Sequence, residues 1–379
     1  MLTEHCEFFF KIMNDQHLTP NTKTDRGMFV KDRIKLLIVD DSKIMRQVIA
    51  KIFETDDLIQ VVGEASNGKE ALEIIPQLNP DVITLDINMP VMDGLTTLKH
   101  VMIKHPTPVV MLSTLTKEGA TMTFDTLKYG AVDFIHKPSN QHPESLGEQC
   151  QAVLKKVVLA ANVRIGTMKY IRTRSKSPEP GANEGERVCK YICAMGASEG
   201  GYGTLLKIIP QLNPELPAAI LVVLYETSRN VDAFASYLDD NSKLKVRRAV
   251  DGEYVEAGSC YLVSGKQYVT LHEFYGEYSL AINTAPFTIH KGGINMLMFS
   301  IAEVMKEHGM GVLLSGSGQD GSEGLSEIIR MGGTAIVQDP KNCLYKEMPT
   351  SAITHCKTVD AVMPDTSIAA EISQRFSVS

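Results

Sequence analysis

Two sets of residues in this 379-residue sequence have the types and spacing to do chemistry. The first is Asp40-Asp41, Asp86, Ser113-Thr114 and Lys137, each at the end of a short apolar run. Three carboxylates brought together repel one another unless a cation sits among them, and oxygen ligands of this kind suit magnesium. A lysine and a hydroxyl opposite them would meet an incoming anion. The set therefore predicts a magnesium-assisted phosphoryl acceptor in which a carboxylate is the nucleophile. A single strand-end Asp would read as a merely solvated loop residue; four matching ends in order do not.

The second set begins with Gly196-Ala197-Ser198-Glu199-Gly200, the G-x-S-x-G spacing of a nucleophile elbow. It follows an apolar run and precedes a helical one, the context the motif requires. Taken alone it is weak, because glycine-rich strand-to-helix turns also cradle phosphates. Neither G-x-G-x-x-G nor a Walker lysine is present. A second cluster, "LLSGSGQDGSEG" at 313–324, also leads from an apolar run into a helical one. It puts Asp320 near a helix N-terminus, where the dipole favours a carboxylate, or where it serves as a cap. A strand-end serine and a strand-end aspartate in one α/β domain are two members of a Ser-His-Asp triad.

The elements that must position these groups are legible as runs. "IKLLIV", "IQVVGEA", "PDVITLDI", "PVVMLS" and "AVDFIHKP" read as strands buried on both faces. Helical patterns lie at 42–55, "GKEALEIIPQL", "DGLTTLKHVMIKH" and a stretch running to Tyr129. This alternation predicts a doubly wound parallel sheet, whose site lies at the carboxyl ends of its strands. A helix is expected over 144–163, and then a linker at 172–187, rich in Pro, Ser, Gly and charge. A second α/β domain starts near Cys189, with strands "KYICAM", "AAILVVLY", "MGVLLS" and "GTAIVQD". Its middle, "KVRRAV", "SCYLVS", "QYVTLHE" and "YSLAIN", is strand-rich and reads as a β insertion. Helices are expected at 204–212, "INMLMFSIAEVMKEH" and 321–331.

The fold class is thus α/β in two domains: a flavodoxin-like (βα)5 unit, then a doubly wound, mainly parallel unit with a β insertion. The boundaries are 1–33, a poorly ordered leader in which Met28 is a candidate start; 34–140; a helix and linker over 141–188; and 189–379. Formal net charge is -7, and residues 189–379 carry 15 basic and 21 acidic side chains. Neither this balance nor any recognition-helix signature suggests a nucleic-acid partner. No apolar run reaches the roughly 18 residues of a membrane span, and the N-terminus lacks a signal peptide's basic region, so a cytoplasmic location is the default. The seven cysteines lack metal-ligand spacing and read as reduced, mostly buried thiols. Cys189 and Cys193 are expected on one strand, pointing the same way.

Residues 34–138 resemble a two-component receiver domain through "LLIVDDSKIMR", "DVITLDINMPVMDG", "VVMLST" and "AVDFIHKP". The resemblance implies that Asp86 is phosphorylated, usually by a sensor histidine kinase. It implies that Asp40, Asp41, Asp86 and the Asn88 backbone carbonyl hold Mg2+, that Ser113 and Lys137 receive the phosphoryl group, and that Phe134 is the aromatic switch.

Residues from 190 to about 375 resemble the catalytic domain of the chemotaxis protein-glutamate methylesterases, and the order of receiver, linker and esterase is that family's architecture. This implies hydrolysis of glutamyl methyl esters on chemoreceptors, in some members deamidation of receptor glutamines, and blockage by the receiver until phosphorylation. Ser198 matches the nucleophile and Asp320 the triad aspartate. The histidine position is Tyr225, in "LYETSRNVDAFASYL". Glu199 stands where the family has threonine, Ser317 where it has a methionine of the oxyanion site, and Lys291-Gly292-Gly293-Ile294-Asn295 where it has Arg-Pro-Ser-Val-Asp. A tyrosine, with a pKa near 10, is a poor proton acceptor at pH 7. Loss of a triad histidine costs up to roughly a million-fold in subtilisin. Glu199 places charge where an anionic transition state develops. His290 matches a family histidine near the site; His272, His308 and His355 have no such match. The expectation is a response regulator whose effector domain is catalytically impaired and acts by binding, to receptor tails or to a kinase. The alternative is an active methylesterase or deamidase working through Ser198 with a relocated base.

Overall fold

A computed structural model describes residues 33–54, 56–113, 117–137, 146–163, 189–284 and 292–377. Expectations for the leader, the linker, Thr114, Pro138, His290 and Lys291 lie outside these residues. The chain divides into two compact units, 1–115 with 129–167, and 116–128 with 168–379.

The first unit's sheet comprises β1 (Ile34–Val39), β2 (Ile59–Ala65), β3 (Val82–Asp86), β4 (Val109–Ser113) and β5 (Asp133–His136). All neighbouring strands are parallel, in the order β2-β1-β3-β4-β5. Leu36, Leu37, Ile38 and Val39 are fully buried, as the continuous apolar run predicts for a strand covered on both faces. The connecting helices are α1 (Lys43–Glu54), α2 (Gly68–Leu78) and α3 (Gly94–Lys104). Helix α4 (Lys117–Lys128) groups with the second unit, and α5 (Leu146–Ala161) packs Val153, Val157 and Ala160 into the first core. Local chemistry sets the helix starts. The Asn67 side chain accepts from Glu70 N (3.0 Å) and Glu70 accepts from Ser66 N (2.7 Å), a reciprocal cap on α2. Asp93 caps α3 by accepting from Thr96 N at 2.7 Å. Gly94 follows because a Cβ there would lie 2.1 Å from the Asp86 carbonyl oxygen. The close approach brings the start of α3 against the end of β3.

The second unit's main sheet has the order β14-β13-β12-β6-β7-β9-β8, parallel throughout. Its strands are β6 (Tyr191–Ala197), β7 (Ala218–Leu224), β8 (Lys245–Arg248), β9 (Ser259–Ser264), β12 (Gly309–Leu313), β13 (Thr334–Gln338) and β14 (Ala361–Met363). A separate antiparallel hairpin is made by β10 (Gln267–Phe274) and β11 (Glu277–Thr284). The expected β insertion is therefore smaller than its strand count suggests. β8 and β9 join the parallel sheet, and only the hairpin stands apart. The helices are α6 (Gly201–Ile208), α7 (Ser228–Asn241), α8 (Gly293–Met305), α9 (Ser322–Arg330), α10 (Glu347–His355) and α11 (Asp365–Ser377). Helices α7, α10 and α11 are additions to the sequence reading. Helix α7 is strongly polar on its outer side but buries Val231, Phe234, Ala235, Tyr237 and Leu238. Every residue of β6 and β7 is buried. Of the described cysteines, Cys343 is partly exposed and the others are buried, all as free thiols. Cys189 precedes β6 rather than sharing a strand with Cys193, and burial pushes its thiol up to about 12. No helix among the described residues is long and apolar enough to cross a membrane.

Candidate functional site

In each sheet two strands distant in sequence lie side by side and the chain leads off from them in opposite directions, β1 and β3 in the first and β6 and β12 in the second. The loops there splay apart and leave a crevice at the strand carboxyl ends.

In the first unit that crevice collects the predicted set. Carboxylate oxygens of Asp40, Asp41 and Asp86 lie within 4.8 Å of one another, with Asp40 and Asp86 buried and Asp41 exposed. Lys137 Nζ reaches Asp40 Oδ2 and Asp86 Oδ2 at 2.8 Å each. Burial raises the Asp86 carboxyl above its ordinary pKa; Lys137 pulls against that, and the charge of Asp40 adds to it. Lys137 is itself pushed down by burial, but its bonds to Asp40 and Asp86 more than reverse this and hold it above its usual value. The Asn88 backbone N–H donates to the Asp86 carboxylate. Ser113 ends β4, buried, and β5 carries the buried Phe134, whose carbonyl accepts from Lys156 Nζ at 2.8 Å. Three clustered carboxylates against one ammonium leave an excess of negative charge on hard oxygen donors, which is the donor chemistry that suits magnesium.

In the second unit Ser198 follows β6 and is 7% exposed. Gly200 makes the elbow with φ at 77°, a left-handed conformation that a side chain disfavours. The Ser198 amide donates to Ser315 O at 3.2 Å, tying the elbow to the loop after β12. Asp320, in that same loop, accepts from Ile294 N (2.9 Å), Asn295 N (3.1 Å) and Gly321 N (2.9 Å). The sequence places Asp320 just before α9; the structure turns its carboxylate onto the first turn of α8 as well, where it meets two unpaired amides and the positive end of the dipole. Tyr225 follows β7, and its hydroxyl donates to Asp320 Oδ2 at 2.5 Å while accepting from Gly293 N at 3.3 Å. Burial, and then the charge of Asp320, push the phenol well above its ordinary pKa, so it stays protonated.

The Ser198 hydroxyl has a different partner: it donates to Glu199 Oε2. The same oxygen accepts from Ser317 Oγ at 2.6 Å and from Ser317 N at 3.3 Å. Desolvation pushes the Glu199 carboxyl up, but the bonds from Ser198 and Ser317 outweigh it and hold it below the ordinary glutamate value. The structure thus brings Ser198, Tyr225 and Asp320 to one cleft of about 800 Å³, with Glu199, Lys266, Asn295, Ser317, Glu323 and His355 also on its wall. Among the described residues, no histidine nitrogen hydrogen-bonds Ser198. The Glu199–Ser317 contact is what sequence reading missed. Both residues stood out as departures from a motif, but nothing in their spacing of 118 residues paired them.

Two such crevices, one rich in carboxylates and one built around a serine elbow, define a class: a receiver domain joined to a methylesterase-type α/β domain. Comparison with known proteins agrees. Residues 36–146 match the model of the response regulator receiver domain, and residues 193–372 that of the CheB methylesterase. A protein-glutamate methylesterase/protein-glutamine glutaminase of Pyrococcus horikoshii is 36% identical over 342 residues, 88% of this chain and 90% of the relative. One of the same name from Geobacillus kaustophilus is 35% identical over 343 residues, 90% of this chain and 98% of the relative. The crystal structure of the Thermotoga maritima CheB methylesterase catalytic domain aligns at 30% identity and a TM-score of 0.47, covering 49% of this chain and 98% of that one. The chain belongs to the CheB family of chemotaxis response regulators.

Proposed function

We propose that this chain is a phosphorylation-controlled response regulator whose methylesterase-type domain is catalytically impaired and acts by binding. One observation carries the second half: the nucleophile and the residue in the base position have both committed their protons elsewhere. Ser198 donates to Glu199, and Tyr225 donates to Asp320. A serine becomes nucleophilic when a base of near-neutral pKa takes its proton. The phenol of Tyr225 has no proton-accepting role to offer while it holds its own, and the lowered pKa of Glu199 makes it a weak base. Glu199 also occupies the Ser317 N–H, a donor that an anionic intermediate would need.

In the first unit Asp86 is the phosphoryl acceptor and Asp40, Asp41 and Asp86 would hold the magnesium ion, whose chemistry is to neutralise charge on the incoming phosphoryl group. Phosphorylation adds charge and acceptor oxygens that draw Ser113 and Lys137 toward Asp86, with Phe134 following. The donor is a sensor histidine kinase of a chemotaxis system in the cytoplasm, and the effector domain's partners include chemoreceptor tails. Incubation with acetyl phosphate and Mg2+ labels the wild type, and Asp86→Asn abolishes the label; unchanged labelling of the variant sinks the site assignment. The wild type shows no Ser198-dependent hydrolysis of a glutamyl methyl ester above the Ser198→Ala background, and turnover that Ser198→Ala abolishes refutes the impairment.

The second reading, an active methylesterase or deamidase, is favoured by the names of the relatives and by the retained Ser198 and Asp320. It requires a relocated base: among the described residues Glu199 is the carboxylate in contact with the Ser198 hydroxyl, and activity that rests on it collapses with Glu199→Thr, whereas activity that rests on His290 collapses with His290→Ala.

A further inference from the structure

The tip of the β10–β11 hairpin keeps residues that the fold does not use. Tyr275 and Gly276 join the strands with φ of 53° and 84°. Two consecutive positive φ angles make the tight turn that suits a twisted hairpin, and Asn-Gly or Asp-Gly is the pair that adopts it most easily. A tyrosine at the first position is strained, since its Cβ crowds the backbone in the left-handed region. No contact among the described residues offsets that strain, because Tyr275 is 106% exposed. Phe274 beside it is 60% exposed and Tyr254 is 58% exposed.

These rings share one surface. Tyr254 bridges Ser279, which pairs with His272, and Phe274 pairs with Glu277. Directly opposed residues on paired strands point to the same face. The face is the one opposite Val269 and Leu271, which enter the core. Its charge is one-sided. Glu277 stands on it opposite Phe274, residues 267–284 contain no lysine or arginine, and Glu273, two residues beyond Leu271, points to the other face. Nearby Glu253 and Glu256 pair with Arg247 and Lys245, whereas Glu277 has no ion pair among the described residues.

We propose that the hairpin tip is a docking surface for a protein segment bearing arginine or lysine. Tyr254, Phe274 and Tyr275 offer ring faces to the cations and to their apolar stems, and Glu277 supplies the countercharge. A strained, exposed aromatic residue at a position where asparagine would serve the turn better is kept for contact, not for folding.

The test is fluorescence anisotropy of the full chain with labelled acetyl-(Gly-Arg)4-amide at low salt, with acetyl-(Gly-Glu)4-amide as control. The wild type binds the arginine peptide and not the control. Tyr275→Asn leaves net charge untouched and relieves the turn, so its melting temperature holds or rises while binding weakens about fivefold. Glu277→Gln weakens binding through charge with the rings intact, and Tyr254→Ser weakens it by removing a ring from the neighbouring segment. Equal affinity of Tyr275→Asn overturns the proposal, as does a fall in its melting temperature, which would mark Tyr275 as structural. Failure of the wild type to bind, or tip-dependent self-association in sedimentation without peptide binding, overturns it as well.

Discussion

The two crevices sit at equivalent places in two parallel sheets, and both gather carboxylates and hydroxyls at strand ends, yet their internal balance is opposite. In the first, Asp40, Asp41 and Asp86 face a single ammonium, Lys137, and burial holds the Asp86 carboxyl up. Charge is left over, and the site is completed by what comes to it. In the second, donors and acceptors are matched within the chain. Ser198 and Ser317 meet Glu199, and Tyr225 and three backbone amides meet Asp320. A matched polar network is at rest, because a new ligand must first displace bonds already made. Residue types alone do not separate the two cases; what separates them is whether each group's hydrogen-bonding capacity is already taken.

The strongest way to break this comparison is to unmatch the second site. Tyr225→His supplies a base where the phenol stands, and Glu199→Thr frees the Ser198 hydroxyl and the Ser317 amide. On the proposed reading each single variant supplies one missing element and leaves the other. The double variant Glu199→Thr/Tyr225→His is expected to hydrolyse a glutamyl methyl ester at least about 100-fold faster than either single variant, since triad members act as a unit. The measurement is kcat/KM with Ser198→Ala added to the double variant as background. Full recovery in Tyr225→His alone would show that Glu199 does not hold the serine, while leaving Tyr225 as the cause of impairment.

The first site is sharpened by removing its one cation. Lys137→Met leaves Asp40 and Asp86 buried together without compensation, and is expected to cost about 3 kcal/mol of stability at pH 7. The sign with pH follows from the shifts. Lys137, raised, contributes stability that is present below its ordinary pKa and is lost only as pH rises through its folded value. Asp86, raised, favours its protonated form in the folded state, so its contribution is present at low pH and is lost as pH rises through its folded value. The variant is therefore closest to wild type in acid and falls behind as Asp86 ionises. Denaturant melts at several pH values check this, and added Mg2+ should recover more stability in the variant than in the wild type. A constant gap across that range would mean that Asp86 does not lean on Lys137.

The first site was legible in the sequence because its geometry is carried by local signals. Each carboxylate ends an apolar run, and a parallel sheet places such ends side by side whatever the details of packing. The strands of the second domain were legible for the same reason. The β insertion was read as larger than it is, because "KVRRAV" and "SCYLVS" have the composition of strands but carry no mark of which sheet they join. Helix α7 hid behind its polar face, since "SRNVDAFASYLDDN" buries five residues among exposed Asp, Asn and Ser. The elbow and Asp320 were legible as motifs, and Tyr225 as a departure from one. The pairing of Glu199 with Ser317 was not, since it depends on the loop after β12 folding back over the end of β6, a contact that no periodicity encodes.

That pairing gives the smallest expected effect and the most direct check on the matched network. Hydrogen bonds from Ser198 and Ser317 hold Glu199 below its ordinary pKa, so their stabilisation is present above the ordinary glutamate value and is lost as pH falls through the lowered one. Glu199→Gln keeps the shape and removes the charge that makes these bonds strong. Its melting temperature should lie slightly below that of the wild type at pH 7, and the gap should close as the wild-type carboxylate becomes protonated in acid. A gap that does not change with pH would mean that the carboxylate is not held by the two serines in solution. The Ser198 hydroxyl would then be free, and the contrast between an open site and a closed one would rest on Tyr225 alone.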